Sequence, residues 1–125
     1  MKKIIQTDAA PKAIGPYSQA VRYGEYIFCS GQIPLDPKTM EVVGVTATEQ
    51  AKQALENLKA VLEAAESDFS RVVKTTLFLK NLGDFVAVNE VYASYFPSNP
   101  PARSTIEVAR LPKNVLIEIE CIAHL

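Results

Sequence analysis

The chain has 125 residues, 48% of them hydrophobic, which suits a single domain over residues 1–125 with one real core. Thirteen basic residues against fourteen acidic leave a net charge of -1, so no overall field draws the protein to nucleic acid or to an anionic membrane. Its longest apolar stretches are only a few residues, far from the roughly 20 that cross a bilayer.

The first residues, Met1-Lys2-Lys3-Ile4-Ile5-Gln6, reach Thr7-Asp8 before a signal-like apolar region develops, and a cytoplasmic protein is expected. Ile14-Gly15-Pro16-Tyr17-Ser18 reads as a loop stiffened by Pro16, with Tyr17 open to either a packing or a functional role. Residues 19–23 and 26–30 flank Gly24-Glu25 and predict a short hairpin. Ser30-Gly31-Gln32 closes the second of these strands, where a glycine serves either a turn or the close approach of a ligand to the backbone.

Between 46 and 65, Ala47, Ala51, Ala54, Leu55, Leu58, Val61, Leu62 and Ala65 recur at helical spacing, and Thr46-Ala47-Thr48-Glu49 matches a capping box. Residues 73–80 alternate with period two and predict a strand. A second helix is expected over 84–96, with Phe85, Val88, Tyr92, Tyr95 and Phe96 on one face, Asp84 able to cap, and Pro97 as the stop. Asn89 sits at the edge of that aromatic face, where a packing residue belongs. Residues 103–109 and 115–123 predict two last strands joined by Leu111-Pro112-Lys113-Asn114. The sum is an α+β fold of about six strands in one sheet with two helices in one layer. Two helices cover one sheet face only, so the other faces water or another copy of the chain.

Cys29 and Cys121 stand in apolar strand surroundings and read as buried, reduced thiols. His124 is the only histidine and reads as a solvated tail residue; a zinc site of His and Cys clusters cannot be assembled within one chain, and a Ser/His/Asp triad would rest on a fraying end. Phosphate-loop and dinucleotide fingerprints are absent from the five glycines, so neither metal nor nucleotide cofactor is expected. Strand alternation puts Arg103, Thr105 and Glu107 on one face, and Glu118 and Glu120 on one face of the last strand. If the turn at Pro112 closes a hairpin, these side chains are cross-strand neighbours. A guanidinium beside carboxylates can grip a small organic acid and activate a water; the same residues can also form an ordinary ion-pair lattice.

Three motifs in fixed order, Ile14-Gly15-Pro16-Tyr17-Ser18-Gln19, Ser30-Gly31-Gln32-Ile33-Pro34, and Pro101-Ala102-Arg103-Ser104 followed by Glu107-Val108-Ala109-Arg110-Leu111-Pro112, closely resemble signatures of the reactive intermediate deaminase family, the YjgF/YER057c/UK114 type. The likeness runs from Ile5 to Ala123 and includes Val73-Lys74-Thr75-Thr76 and Val88-Asn89. It implies a chorismate-mutase-like fold with a mixed sheet, and a homotrimer with ligand sites in the clefts between subunits. It also implies Arg103 as carboxylate anchor, Glu118 as the water-handling acid, and Tyr17, Ser30, Gly31 and Asn89 as cleft-lining positions. Thr105 stands where most close relatives carry cysteine, which bears on substrate fit. Glu66 replaces a glycine common after the first helix, and the loop 96–100 is shorter than in some members.

The implied activity is hydrolysis of 2-imino acids such as 2-iminopropanoate and 2-iminobutanoate to 2-oxo acids and ammonium, without metal or cofactor. A non-catalytic module that senses small carboxylic or 2-oxo acids is the alternative. Endoribonuclease activity, reported for some relatives, fits poorly with the net charge and the lack of a basic aromatic groove.

Overall fold

A computed structural model describes residues 1–125. In chain order the elements are β1 (Lys3–Ile5), β2 (Ala20–Tyr23), β3 (Tyr26–Gln32), α1 (Ala47–Ala64), β4 (Val72–Leu79), α2 (Phe85–Tyr95), β5 (Ala102–Glu107) and β6 (Ile117–His124), with short 3-10 turns before β4, α2 and β6. The six strands form one mixed sheet in the order β1-β2-β3-β6-β4-β5. Every neighbouring pair is antiparallel except β4 and β5, which run parallel. The expected α+β sheet with two helices is therefore present, and its sixth strand is β1, outside the segments that alternation marked. No helix is long and apolar enough to cross a membrane.

The hairpin expected between β5 and β6 does not form. β4, α2 and β5 make a crossover unit, and a strand that returns through a helix lies parallel beside the one it left. β6 instead enters between β3 and β4, where its alternate residues Ile117, Ile119, Cys121 and Ala123 are buried. Its strict alternation suits a central strand, while β5, with no fully buried residue, takes the edge.

The helical layer covers one sheet face. Leu55, Leu58, Val61 and Leu62 of α1 join Val88 and Tyr92 of α2 over Ile27, Leu77, Leu79, Ile117 and Ile119. Thr46 and Glu49 cap α1 reciprocally: the Glu49 amide donates to Thr46 Oγ1 at 3.2 Å, and the Thr46 amide donates to Glu49 Oε1 at 3.0 Å. Asp84 stands at the N-cap of α2 but makes no side-chain cap bond; Asn81 caps the preceding turn by accepting from the Gly83 amide at 2.9 Å. Cys29 and Cys121 are register partners on β3 and β6, both buried and free, and the neighbouring thiol followed by burial pushes Cys121 well above its usual range. They act as core hydrophobes. His124 is no loose tail residue: it ends β6 opposite Tyr26 and is half-buried.

The opposite face is uncovered. Ile4, Val21, Phe28 and Ile122 form one cross-strand row on it, with Phe28 47% exposed, and Ile106 on β5 is 45% exposed. Single exposed apolar residues are ordinary, but a row on a bare sheet marks a surface suited to association.

At the end of α1, the Ser67 amide donates to Leu62 O at 2.9 Å and the Glu66 amide to Glu63 O at 3.0 Å, the hydrogen-bond pair of a Schellman cap. The motif requires a left-handed residue, and Glu66 fills it at φ 63°. Glu66→Gly is expected to raise the stability of the fold by about 1 kcal/mol, removing the steric penalty of a side chain there. Chemical denaturation of the two proteins under identical conditions measures it.

Candidate functional site

The residues singled out in the sequence divide into two groups on opposite faces of the sheet. Arg103 is the register partner of Thr75, and Thr75 faces the helical layer; Arg103 therefore lies under α2, at the edge of the sheet. Helical spacing on α2 builds its surroundings. Phe85, Asn89 and Tyr92 fall at i, i+4 and i+7, one above another on the face turned to β5. The guanidinium carbon lies 5.3 Å from the Phe85 ring centre and 4.8 Å from that of Tyr92. Nη1 donates to Asn89 Oδ1 at 2.7 Å. The amide that looked out of place on an aromatic face is thus the hydrogen-bond acceptor for a cation held between two rings.

This environment shields the charge without neutralising it. Ring faces attract a cation through their quadrupole, and the one side-chain acceptor is a neutral amide. A planar fork so held retains donors for a second, anionic partner. Asn89, Tyr92, Ala93, Phe96, Pro100 and Pro101 line the cleft that opens beside Arg103.

Thr105 lies two residues along β5 on the same face, and its hydroxyl is buried without a hydrogen-bond partner. Glu107, the third residue of that face, is already used: its Oε1 accepts from the Leu82 amide at 2.9 Å at the approach to α2.

Glu118 and Glu120 belong to the other face. Their register partners on β4 are Phe78 and Thr76, which alternate with the buried Thr75, Leu77 and Leu79. Arg103 is thus separated from both glutamates by β4 and by the thickness of the sheet, and one chain does not bring them together. Sequence reasoning placed them side by side because it paired consecutive strands.

Around Glu118 gather Tyr17, Ser30, Gly31, Ile33, Pro112 and Glu120, which line a single crevice. A Cβ on Gly31 would collide with the Glu118 carboxyl group. Gly31 is needed for side-chain space, and the space it leaves is occupied by the carboxylate. Ser30, Gly31 and Gln32 are the last three residues of β3, as expected, at an irregularity in the register between Cys29 and Gln32. Ser30 Oγ donates to Ser18 O at 2.6 Å and the Ser30 amide donates to Gln19 O at 2.9 Å, so this residue also holds the loop that carries Tyr17. Tyr17 is 54% exposed and projects from a turn in which its amide donates to Gly15 O at 2.9 Å.

Buried Gln19 anchors the same loop. Its Nε2 donates to Pro11 O at 2.8 Å and Thr7 O at 3.0 Å, while Oε1 accepts from the Thr7 amide at 2.7 Å. Buried Gln50 and Asn57 of α1 hold loops in the same way, Gln50 accepting from the Leu116 amide at 2.7 Å and Asn57 donating to Leu35 O at 2.9 Å. Polar residues on the buried stripe of a helix were the available signal for these two, and sequence reasoning passed over it.

Burial, and then the like charge of Glu120, holds the Glu118 carboxyl above the ordinary glutamate range.

These features define a small α+β protein with one helix-covered and one bare sheet face, carrying a charge-shielded arginine on the first and a raised glutamate on the second. A family model described as Endoribonuclease L-PSP matches residues 7–125. A RutC family protein of Pyrococcus horikoshii is 55% identical over 124 residues, covering 99% of this chain and 98% of its own. Reactive Intermediate Deaminase A, chloroplastic, of Arabidopsis thaliana is 49% identical over 124 residues, covering 99% of this chain and 66% of the plant protein. The crystal structure of E. coli TdcF with bound serine superposes with a TM-score of 0.94 at 46% identity, covering 98% of each chain. The chain belongs to the YjgF/RutC/Rid family.

Because Glu120 contributes to the raised Glu118 carboxyl, Glu120→Gln is expected to move the Glu118 titration toward the ordinary glutamate value. Following the Glu118 side-chain carboxyl resonance against pH by NMR in the two proteins checks the direction.

Proposed function

We propose that the protein hydrolyses 2-imino acids, 2-iminopropanoate and 2-iminobutanoate among them, to 2-oxo acids and ammonium, in a homotrimer whose sites lie between subunits. The observation that carries the reading is the Arg103 guanidinium, held between Phe85 and Tyr92 with a neutral amide as its side-chain acceptor. Such a cation lacks one thing, a small anion. A relative named for deamination of reactive intermediates and one crystallised with serine, a molecule bearing a carboxylate, support the same reading.

Catalysis needs a water and a base within reach of the anchored acid, and in a single chain Glu118 stands on the wrong face for it. The bare sheet face supplies the remedy: a second copy docked there brings its Glu118 crevice, with Tyr17, Ser30 and Gly31, toward the edge where Arg103 and Asn89 lie. Thr105, on the same face of β5 as Arg103, completes the set of ligand contacts.

In this site Arg103 takes the substrate carboxylate by two parallel hydrogen bonds and fixes the imine carbon. The Glu118 carboxylate of the neighbouring copy accepts a proton from water as the oxygen adds to the iminium carbon, giving a carbinolamine. Return of that proton to nitrogen makes an ammonium leaving group; as the C–N bond breaks, the carbinolamine hydroxyl becomes the carbonyl and passes its proton, by way of Glu118, to the departing ammonia, which leaves as ammonium. One water enters, and one 2-oxo acid and one ammonium leave. A carboxyl raised by burial is well matched to accepting and returning a proton within one cycle. The iminium carbon is already electrophilic, so the acceleration demanded of the site is modest.

Coupling the protein to a pyridoxal-phosphate threonine dehydratase and following imine loss tests the activity. Arg103→Ala is expected to lower kcat/KM by about 100-fold, the loss of two charge-assisted hydrogen bonds, and Glu118→Gln to lower kcat by about 100-fold or more with KM little changed. Co-expression of those two variants is expected to restore activity, because about one heterologous interface in four then pairs an intact Arg103 with an intact Glu118. No acceleration over buffer by the parent overturns the activity, and no recovery in mixed assemblies overturns the shared site.

A further inference from the structure

Beneath the guanidinium lies a second, buried polar contact that has no part in the chemistry above. Tyr92 is 6% exposed and Thr75 is fully buried, and their hydroxyl oxygens lie 2.7 Å apart. Thr75 is on β4, Tyr92 on α2, and Arg103 on β5 in register with Thr75. The bond therefore ties the helix to β4, at the level where the neighbouring edge strand presents its arginine. The Tyr92 ring also packs against Phe96, with centroids 4.6 Å apart and planes tilted by 33°.

A phenylalanine at 92 and a valine at 75 would fill nearly the same volumes and bury no polar atoms. Two hydroxyls withdrawn from water and satisfied only by each other return little net stability. What the pair supplies is direction: it fixes where the ring face lies, and that face is one wall of the guanidinium cradle. An arginine side chain carries large rotamer freedom, and a fork held in one plane before the ligand arrives gives up less on binding.

We infer that the Tyr92–Thr75 hydroxyl pair is a positioning device for Arg103 that sets the affinity of the site for a carboxylate. The inference rests on Arg103 being the carboxylate anchor of the proposed function. Tyr92 acts through the arginine, so its loss is felt in binding and not in turnover.

The test measures the Kd of 2-oxobutanoate by calorimetry, with KM and kcat for imine hydrolysis, in Tyr92→Phe, Thr75→Val, the double variant and Thr75→Ser. Tyr92→Phe and Thr75→Val are each expected to raise Kd and KM about five- to tenfold, with kcat within about twofold of the parent. The double variant is expected to be no weaker than either single one, since both remove the same bond, and Thr75→Ser to keep the parental Kd. A parental Kd in folded Tyr92→Phe, additive losses in the double variant, or a fall in kcat at constant KM overturns the inference. Should Tyr92→Phe not fold, Thr75→Val with its Thr75→Ser rescue reads the same bond. Arg103→Lys separates the two levels: an unchanged Kd there removes the anchor itself, whereas lost binding there with parental binding in Tyr92→Phe removes only the positioning role.

Discussion

A guanidinium held against two aromatic rings and one neutral amide is the constraint around which this fold is arranged. The electrostatics are those of a charge partly withdrawn from water yet left without a counter-ion. Pairing it with a carboxylate of the same chain would stabilise it locally and leave nothing for a ligand. Leaving it bare would surrender the fixed geometry that a two-point grip on an organic acid requires. Phe85 and Tyr92 supply attraction without neutralisation, and Asn89 fixes the plane by taking one N–H. Each of these depends on a further element: the pitch of α2 aligns the three residues, and the parallel β4–β5 pairing brings Arg103 beneath them.

The glutamate side obeys the opposite logic. Glu118 lies on the uncovered sheet face, yet the Gly31 backbone, Pro112 and the Tyr17 loop crowd around it. A carboxyl in such a crevice, next to Glu120, holds its proton more tightly than a free glutamate does. The loop is fixed by Gln19 and Ser30, buried and half-buried polar residues whose hydrogen bonds go to backbone groups. On the proposed function, a charge-shielded cation on one face and a raised acid on the other gain a common purpose when a second copy covers the bare face. On the proposed reading, association and catalysis are therefore one requirement.

Local signals carried much of the fold. The alanine and leucine stripe of α1, its capping box and the period-two strands were legible because each depends on neighbours within a few residues. The family resemblance marked Glu66 as standing where a glycine is common, and the left-handed φ of Glu66 supplies the reason. The side-by-side placement of Arg103 and Glu118 failed because it assumed that strands adjacent in sequence are adjacent in the sheet. Asn89 was legible only as an anomaly, since its partner lies on another element. The orphan hydroxyl of Thr105 and the Tyr92–Thr75 bond left no trace in sequence periodicity.

By itself the sequence determined which segments become helix or strand, the short β1 apart, which face of each is apolar, and which rare polar residues interrupt those faces; these follow from side-chain chemistry at fixed periods of 3.6 and 2. Only the tertiary structure decided that β6 enters between β3 and β4, and hence that arginine and glutamate stand on opposite faces of one sheet. Strand order depends on how helices and crossovers pack over a shared core, a sum of contacts between residues far apart in the chain, and no local pattern encodes that sum.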